Sequence, residues 1–85
     1  MMKIIKFVQP SCAPCRMVDG FLSHLGLAVD ETLDIAVDES AFNLSQHFGV
    51  KSTPTLILLK DNGEEVDRVS GLNQEAIKEL FAKRK

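Results

Sequence analysis

Residues Lys3–Val8 leave this chain few ways to fold. Lys3-Ile4-Ile5-Lys6-Phe7-Val8 is rich in β-branched and aromatic side chains and ends at Gln9-Pro10-Ser11, so it reads as a strand. Ile4, Lys6 and Val8 point one way, and Ile5 and Phe7 the other. A strand apolar on both faces belongs inside a sheet covered on both sides. Lys6 is the residue out of place there. After the turn, Met17, Val18, Phe21, Leu22 and Leu25 recur at helical spacing. Pro14 suits the first turn of that helix and Gly26 its stop. Leu33, Ile35 and Val37 then alternate with Asp34, Ala36 and Asp38, which predicts a second strand over 33–38. Strand, helix and strand in this order imply parallel pairing through a right-handed crossover.

Asp38 is placed to cap a second helix, with Val37 and Phe42 as a hydrophobic staple. That helix is expected to turn Ala41, Leu44 and Phe48 inward and to stop at Gly49. Thr55–Leu59 reads as a third strand, Asp61-Asn62-Gly63 as a tight turn, and Glu65–Ser70 as a fourth strand broken by Gly71. Asn73 caps a last helix with Leu72 and Ile77 as its staple and Ile77, Leu80 and Phe81 as its inner face. Lys83, Arg84 and Lys85 fall where the helix dipole favours positive charge. The reading is an α/β fold in βαβαββα order, a four-stranded mixed sheet with helices on both faces. Residues 1–85 are too few for two domains and form one.

Charge and hydropathy narrow the function classes. Lys plus Arg is 10 and Asp plus Glu is 12, a net charge of −2, so no basic surplus attracts nucleic acid. The longest wholly apolar run, Leu56–Leu59, is four residues and spans no membrane. Met1–Val8 carries charges inside its apolar stretch and lacks a cleavage site, which reads as a cytoplasmic chain rather than an exported one.

The only two cysteines, Cys12 and Cys15, flank Ala13-Pro14 where the first strand gives way to the first helix. Cytosolic thiols are kept reduced, so the pair is a redox centre, half a metal site or incidental. A helix N-terminus stabilises an anion, which lowers the pH at which a Cys12 thiolate forms. Cys15, one turn on, is placed to resolve a mixed disulfide. Zinc needs two further ligands. His24 and His47, the only histidines, lie on different expected helices and read as solvated, so no metal is assigned. Arg16 reads as a surface charge, and Asp30, Glu31, Asp38 and Glu39 as a solvated acidic face.

Together, Cys12-Ala13-Pro14-Cys15-Arg16, Phe48-Gly49-Val50 leading to Ser52-Thr53-Pro54-Thr55, Asp61-Asn62-Gly63-Glu64 and Ser70-Gly71-Leu72 resemble the thioredoxin family. The resemblance runs over nearly the whole chain. It is to a short form, close to small thioredoxin- and glutaredoxin-like proteins of microbes and phages; longer members carry a further N-terminal strand and helix. It implies a thioredoxin fold, a cis Thr53–Pro54 bond facing the cysteines, and a substrate groove made by Ala13, Pro14, Thr53, Pro54 and Gly71.

The departures from the family pattern fall at the site. Ala13 replaces the usual glycine, Ser11 the usual tryptophan before the first cysteine, and Gly20 the usual proline of the first helix. The family's buried aspartate and its lysine partner correspond here to Lys6 and Asp34, with the signs exchanged. Adjacent strands could bring these two together, which leaves two readings of Lys6: it tunes the cysteines, as a cation favouring the thiolate or as an amine accepting a proton, or it reaches out to solvent and plays no part.

The leading function implied is a monomeric thiol–disulfide oxidoreductase that reduces protein disulfides, Cys12 attacking and Cys15 resolving. It needs no bound cofactor. No nucleotide-binding glycine fingerprint is present, so electrons come from a thioredoxin reductase-like flavoprotein or from glutathione. One alternative is a glutathione-dependent glutaredoxin. Another, of a different class, is a binding subunit that uses the fold as a surface and leaves the cysteines idle.

Overall fold

The computed structural model of the chain describes residues 1–84. Lys85, read above as part of the basic end of the last helix, lies outside the described residues. The elements follow in the expected order: β1 (Lys3–Val8), α1 (Ala13–Leu25), β2 (Glu31–Asp34), α2 (Glu39–His47), β3 (Thr55–Leu59), β4 (Glu65–Ser70) and α3 (Gln74–Lys83). They build one mixed sheet of order β2-β1-β3-β4. β1 pairs parallel to β2 and antiparallel to β3, and β3 pairs antiparallel to β4.

Alternation along the two central strands makes two cores. Ile4, Leu56 and Leu58 pack under α1 and α3 with Val18, Leu22, Val69, Ile77, Leu80 and Phe81. Ile5, Phe7, Ile57 and Leu59 face the other way and pack with Val50, Leu33, Ile35 and Phe48. Helices therefore cover both faces, as the two-sided apolar pattern of β1 requires. Each of these large apolar side chains contributes about 1.5–3 kcal/mol when fully buried.

Local signals set the helix ends. Gly26 takes a left-handed φ of 69° and its N–H returns to carbonyls of the last turn of α1, a conformation that costs most side chains about 1–2 kcal/mol. Asp38 accepts the Ser40 N–H at 2.9 Å at the start of α2, and Asn73 accepts the Ala76 N–H at 3.1 Å at the start of α3. α1 runs without interruption through Gly20.

Four expectations need correction. The second strand lies earlier than 33–38 and ends at Asp34. The Asp34 carboxylate accepts the Ala36 N–H at 2.9 Å and its carbonyl accepts the Asp38 N–H at 3.0 Å, so an aspartate-centred turn replaces the ladder. Alternation persists in 33–38, but only Leu33 and Ile35 of its apolar residues join the core, and Val37 is 77% exposed. Phe42 is also exposed, so Val37 and Phe42 make no buried staple. In α2 the buried face is Ala41 and Ser45, while Leu44 is exposed. Small residues there let a short helix lie close to the sheet. At α3 Ile77 is buried and Leu72 stays at the surface.

Candidate redox site

The chain leaves β1 through Gln9-Pro10 and turns at Ser11, whose φ of 57° is left-handed. That turn makes Cys12 the N-cap of α1, in extended conformation, with Pro14 in the first helical turn. Pro14 loses nothing there, because the first N–H groups of a helix have no partner within it. The Cys12 sulfur accepts the Cys15 N–H at 3.1 Å, in the role a serine or aspartate oxygen has at other caps. A negative charge on this sulfur is favoured by that N–H and by the helix dipole.

Cys12 and Cys15 form a disulfide, with Cα atoms 5.2 Å apart. The two sulfurs are unequal. Cys15 lies on the buried face of α1 with Val18 and Leu22 and is 4% exposed, whereas Cys12 is only partly covered. Thr53, 41 residues on, brings its carbonyl oxygen to 3.8 Å and its hydroxyl to 3.6 Å of the Cys12 sulfur. The Thr53–Pro54 bond is cis. Pro54 is buried, and its carbonyl accepts the Gly71 N–H at 2.9 Å. Gly71 has a φ of 73°, and a Cβ there meets nothing within 4 Å, so backbone conformation rather than crowding calls for glycine. Ala13 and Pro14 are exposed beside the disulfide. The structure thus brings Cys12, Ala13, Pro14, Cys15, Thr53, Pro54 and Gly71 into one region.

Lys6 and Asp34 are not a pair. In the β1–β2 register Lys6 lies opposite Thr32, and Asp34 opposite Val8. Two residues along a parallel ladder separate them by roughly 6–7 Å of strand. Asp34 is instead committed to the turn that ends β2. The partner of Lys6 is Asp19, on α1 one turn beyond Cys15. The reason is strand alternation: Lys6 shares the Ile4 side of β1, the side covered by α1. Its side chain is 7% exposed and that of Asp19 53%, so one end of the ion pair is buried and the other wet. The pair borders an opening of about 310 Å³ lined also by Leu22, Ser23, Leu27, Ala28 and Val29.

Two residues near this region escaped the sequence reading. Asp19 follows Cys15 by four residues, a spacing that places both on one helix face, but it reads as one more surface acid. Gln9 approaches the Thr53 hydroxyl at 3.4 Å, across 44 residues, and carries no local signal at all. His24 and His47 are exposed, and His47 rests edgewise on Phe48. Among the described residues no group of three or more His, Cys, Asp or Glu side chains is arranged to hold a metal ion. No helix among them is long and apolar enough to cross a membrane.

The family model for thioredoxin matches residues 1–83. The chain belongs to the thioredoxin family. It is 38% identical over 80 residues to the SPbeta prophage-derived thioredoxin-like protein YosR of Bacillus subtilis, covering 94% of this chain and 95% of that protein. It is 38% identical over 81 residues to thioredoxin of Bacillus subtilis, covering 91% of this chain and 76% of that one. Among solved structures, the thioredoxin-like protein BC3987 superposes with a TM-score of 0.70 at 35% identity, covering 92% of this chain and 99% of that chain. The fold is therefore the thioredoxin fold in a short form. Members of the family are thiol–disulfide oxidoreductases, and the Cys12–Cys15 disulfide gives this thioredoxin-family chain the dithiol such chemistry needs.

Proposed function

We propose that this thioredoxin-family protein reduces protein disulfides, with Cys12 as the attacking sulfur and Cys15 as the resolving one. The observation that carries the assignment is the unequal placement of the two sulfurs: Cys12 partly open at the helix cap, Cys15 buried behind it. In the reduced protein the Cys12 thiolate attacks one sulfur of a substrate disulfide. A mixed disulfide forms and the first substrate thiolate leaves, taking a proton. Cys15 loses its proton and attacks Cys12, which closes the Cys12–Cys15 bond and releases the second substrate thiolate. Two electrons have passed to the substrate. Ala13, Pro14, Thr53, Pro54 and Gly71 line the groove for the substrate chain. Thr53, partly exposed beside the buried Pro54, offers its backbone groups for pairing with an extended peptide.

A reductase of the flavoprotein type or glutathione restores the dithiol, and no metal or bound cofactor takes part. The protein acts as a cytoplasmic monomer. Lys6 acts on the cysteines jointly with Asp19; Asp34, held in its turn, has no part. Insulin reduction tests the assignment. Wild type is active, Cys12→Ser is inactive, and Cys15→Ser accumulates a mixed disulfide with substrate. Equal activity of wild type and Cys12→Ser overturns it in favour of a binding subunit. Recycling by glutathione but not by a thioredoxin reductase moves the protein to the glutaredoxin class.

A further inference from the structure

We propose that Gln9 and Thr53 form a hydrogen-bond relay that reverses direction with the redox state of Cys12 and stabilises its thiolate. The inference rests on the assignment of Cys12 as the attacking sulfur. Three polar groups line up: the Gln9 side-chain amide lies 3.4 Å from the Thr53 hydroxyl, which lies 3.6 Å from the Cys12 sulfur. A hydroxyl has one proton to give. In the disulfide the Cys12 sulfur has no proton and is a poor acceptor, so the hydroxyl donates to the Gln9 carbonyl oxygen.

Two-electron reduction of the disulfide, supplied by the reductant of the reaction above, breaks the S–S bond. Cys15 takes up one proton as a thiol and Cys12 is left as a thiolate. The thiolate is the strongest acceptor within reach of the Thr53 hydroxyl, and a charged acceptor roughly doubles the strength of a hydrogen bond. The hydroxyl proton therefore turns to sulfur. Its oxygen then faces Gln9 with lone pairs free. A glutamine amide carries both an acceptor and two donor protons, and a half-turn of its terminal bond presents the donors. Gln9 is exposed, so that rotation meets little resistance. The thiolate then has two donors, the Cys15 N–H, which already lies 3.1 Å from this sulfur in the disulfide, and the Thr53 hydroxyl, the second held by Gln9.

Thr53 acts directly on sulfur, and Gln9 is a positioning residue. The test is the rate of iodoacetamide alkylation of the reduced protein at one fixed pH on the acid side of the Cys12 titration, with the labelled cysteine mapped by mass spectrometry. Thr53→Val keeps the shape and removes the hydroxyl; it slows Cys12 labelling about three- to tenfold. Thr53→Ser restores the wild-type rate, which a purely steric role of the threonine does not predict. Gln9→Leu slows labelling about two- to threefold in the wild-type background, and by nothing further once Thr53 is Val. Equal rates for Thr53→Val and Thr53→Ser overturn the relay, as does a Gln9→Leu effect that persists beside Thr53→Val. Labelling of Cys15 ahead of Cys12 overturns the attack assignment and the relay together. Normal Cys12 labelling without the Thr53–Gln9 coupling overturns the relay alone.

Discussion

Replacing Asp19 by Asn leaves the ammonium of Lys6 without its partner, and the size of the loss follows from where the two ends lie. Breaking a fully buried ion pair by removing one member costs about 3–5 kcal/mol, because a charge stays behind in a poor solvent. Breaking a fully exposed pair costs about 0–1 kcal/mol. Here the Lys6 side chain is 7% exposed and the Asp19 side chain 53%. The adjoining opening of about 310 Å³ lets water reach the orphaned ammonium. Asp19→Asn is therefore expected to cost about 1–3 kcal/mol, between those limits. Lys6→Met removes the charge along with its desolvation, puts an apolar chain on the Ile4 side of β1, and leaves Asp19 in water. Its effect is expected within about 1 kcal/mol of zero, of either sign. Urea unfolding of the oxidised proteins at neutral pH measures both. Near the melting point 1 kcal/mol corresponds to roughly 4–8 °C in a domain of this size, so the difference is also visible by thermal melting. The reasoning is refuted if Lys6→Met is the more damaging change, or if Asp19→Asn still destabilises when Lys6 is already Met.

The same pair makes a redox prediction of opposite signs. Asp19→Asn leaves an uncompensated positive charge and speeds Cys12 alkylation severalfold, while Lys6→Met slows it; rates unmoved by both changes remove Lys6 from the chemistry. Acid is expected to destabilise the fold. The Ile4 N–H and then Arg84 hold the Asp30 carboxyl below its ordinary value, the Arg68 hydrogen bond does the same for Glu65, and the Lys83 hydrogen bond for Asp67. Groups depressed in the folded state contribute stability above their unfolded titration range and lose it as pH falls through the folded one, so the urea midpoint drops steadily below about pH 5. A midpoint flat between about pH 6 and 3 contradicts this. Gly71→Ala meets no neighbouring atom but must hold a φ of 73°, so about 1 kcal/mol of stability is lost to backbone strain. Unaltered urea stability of that variant shows that the turn adjusts freely.

Features that depend on a few neighbouring residues could be read from the amino-acid order alone. The strand Lys3–Val8, the cap at Asn73, the stop at Gly26 and the placement of Cys12 and Cys15 at a helix start all rest on local conformational preference and on donors one turn away. Even the Thr53–Pro54 bond was legible, through the family pattern around it. Contacts between residues far apart in the chain were set only by the assembled sheet and its helices. Local alternation ran on through Val37, but the Asp34 side chain turned the backbone after β2, so the strand's true end depended on a competing hydrogen bond. Lys6 was recognisable as a misplaced charge, yet its partner was set by which helix covers its side of β1 and by a register that puts Thr32, not Asp34, beside it. Gln9 and Thr53 meet at the cysteine because the sheet places β1 next to β3, and nothing in either residue's neighbours along the chain announces it. Backbone preference acts over one turn, whereas charge pairing and contact with the reacting sulfur need the sheet assembled first.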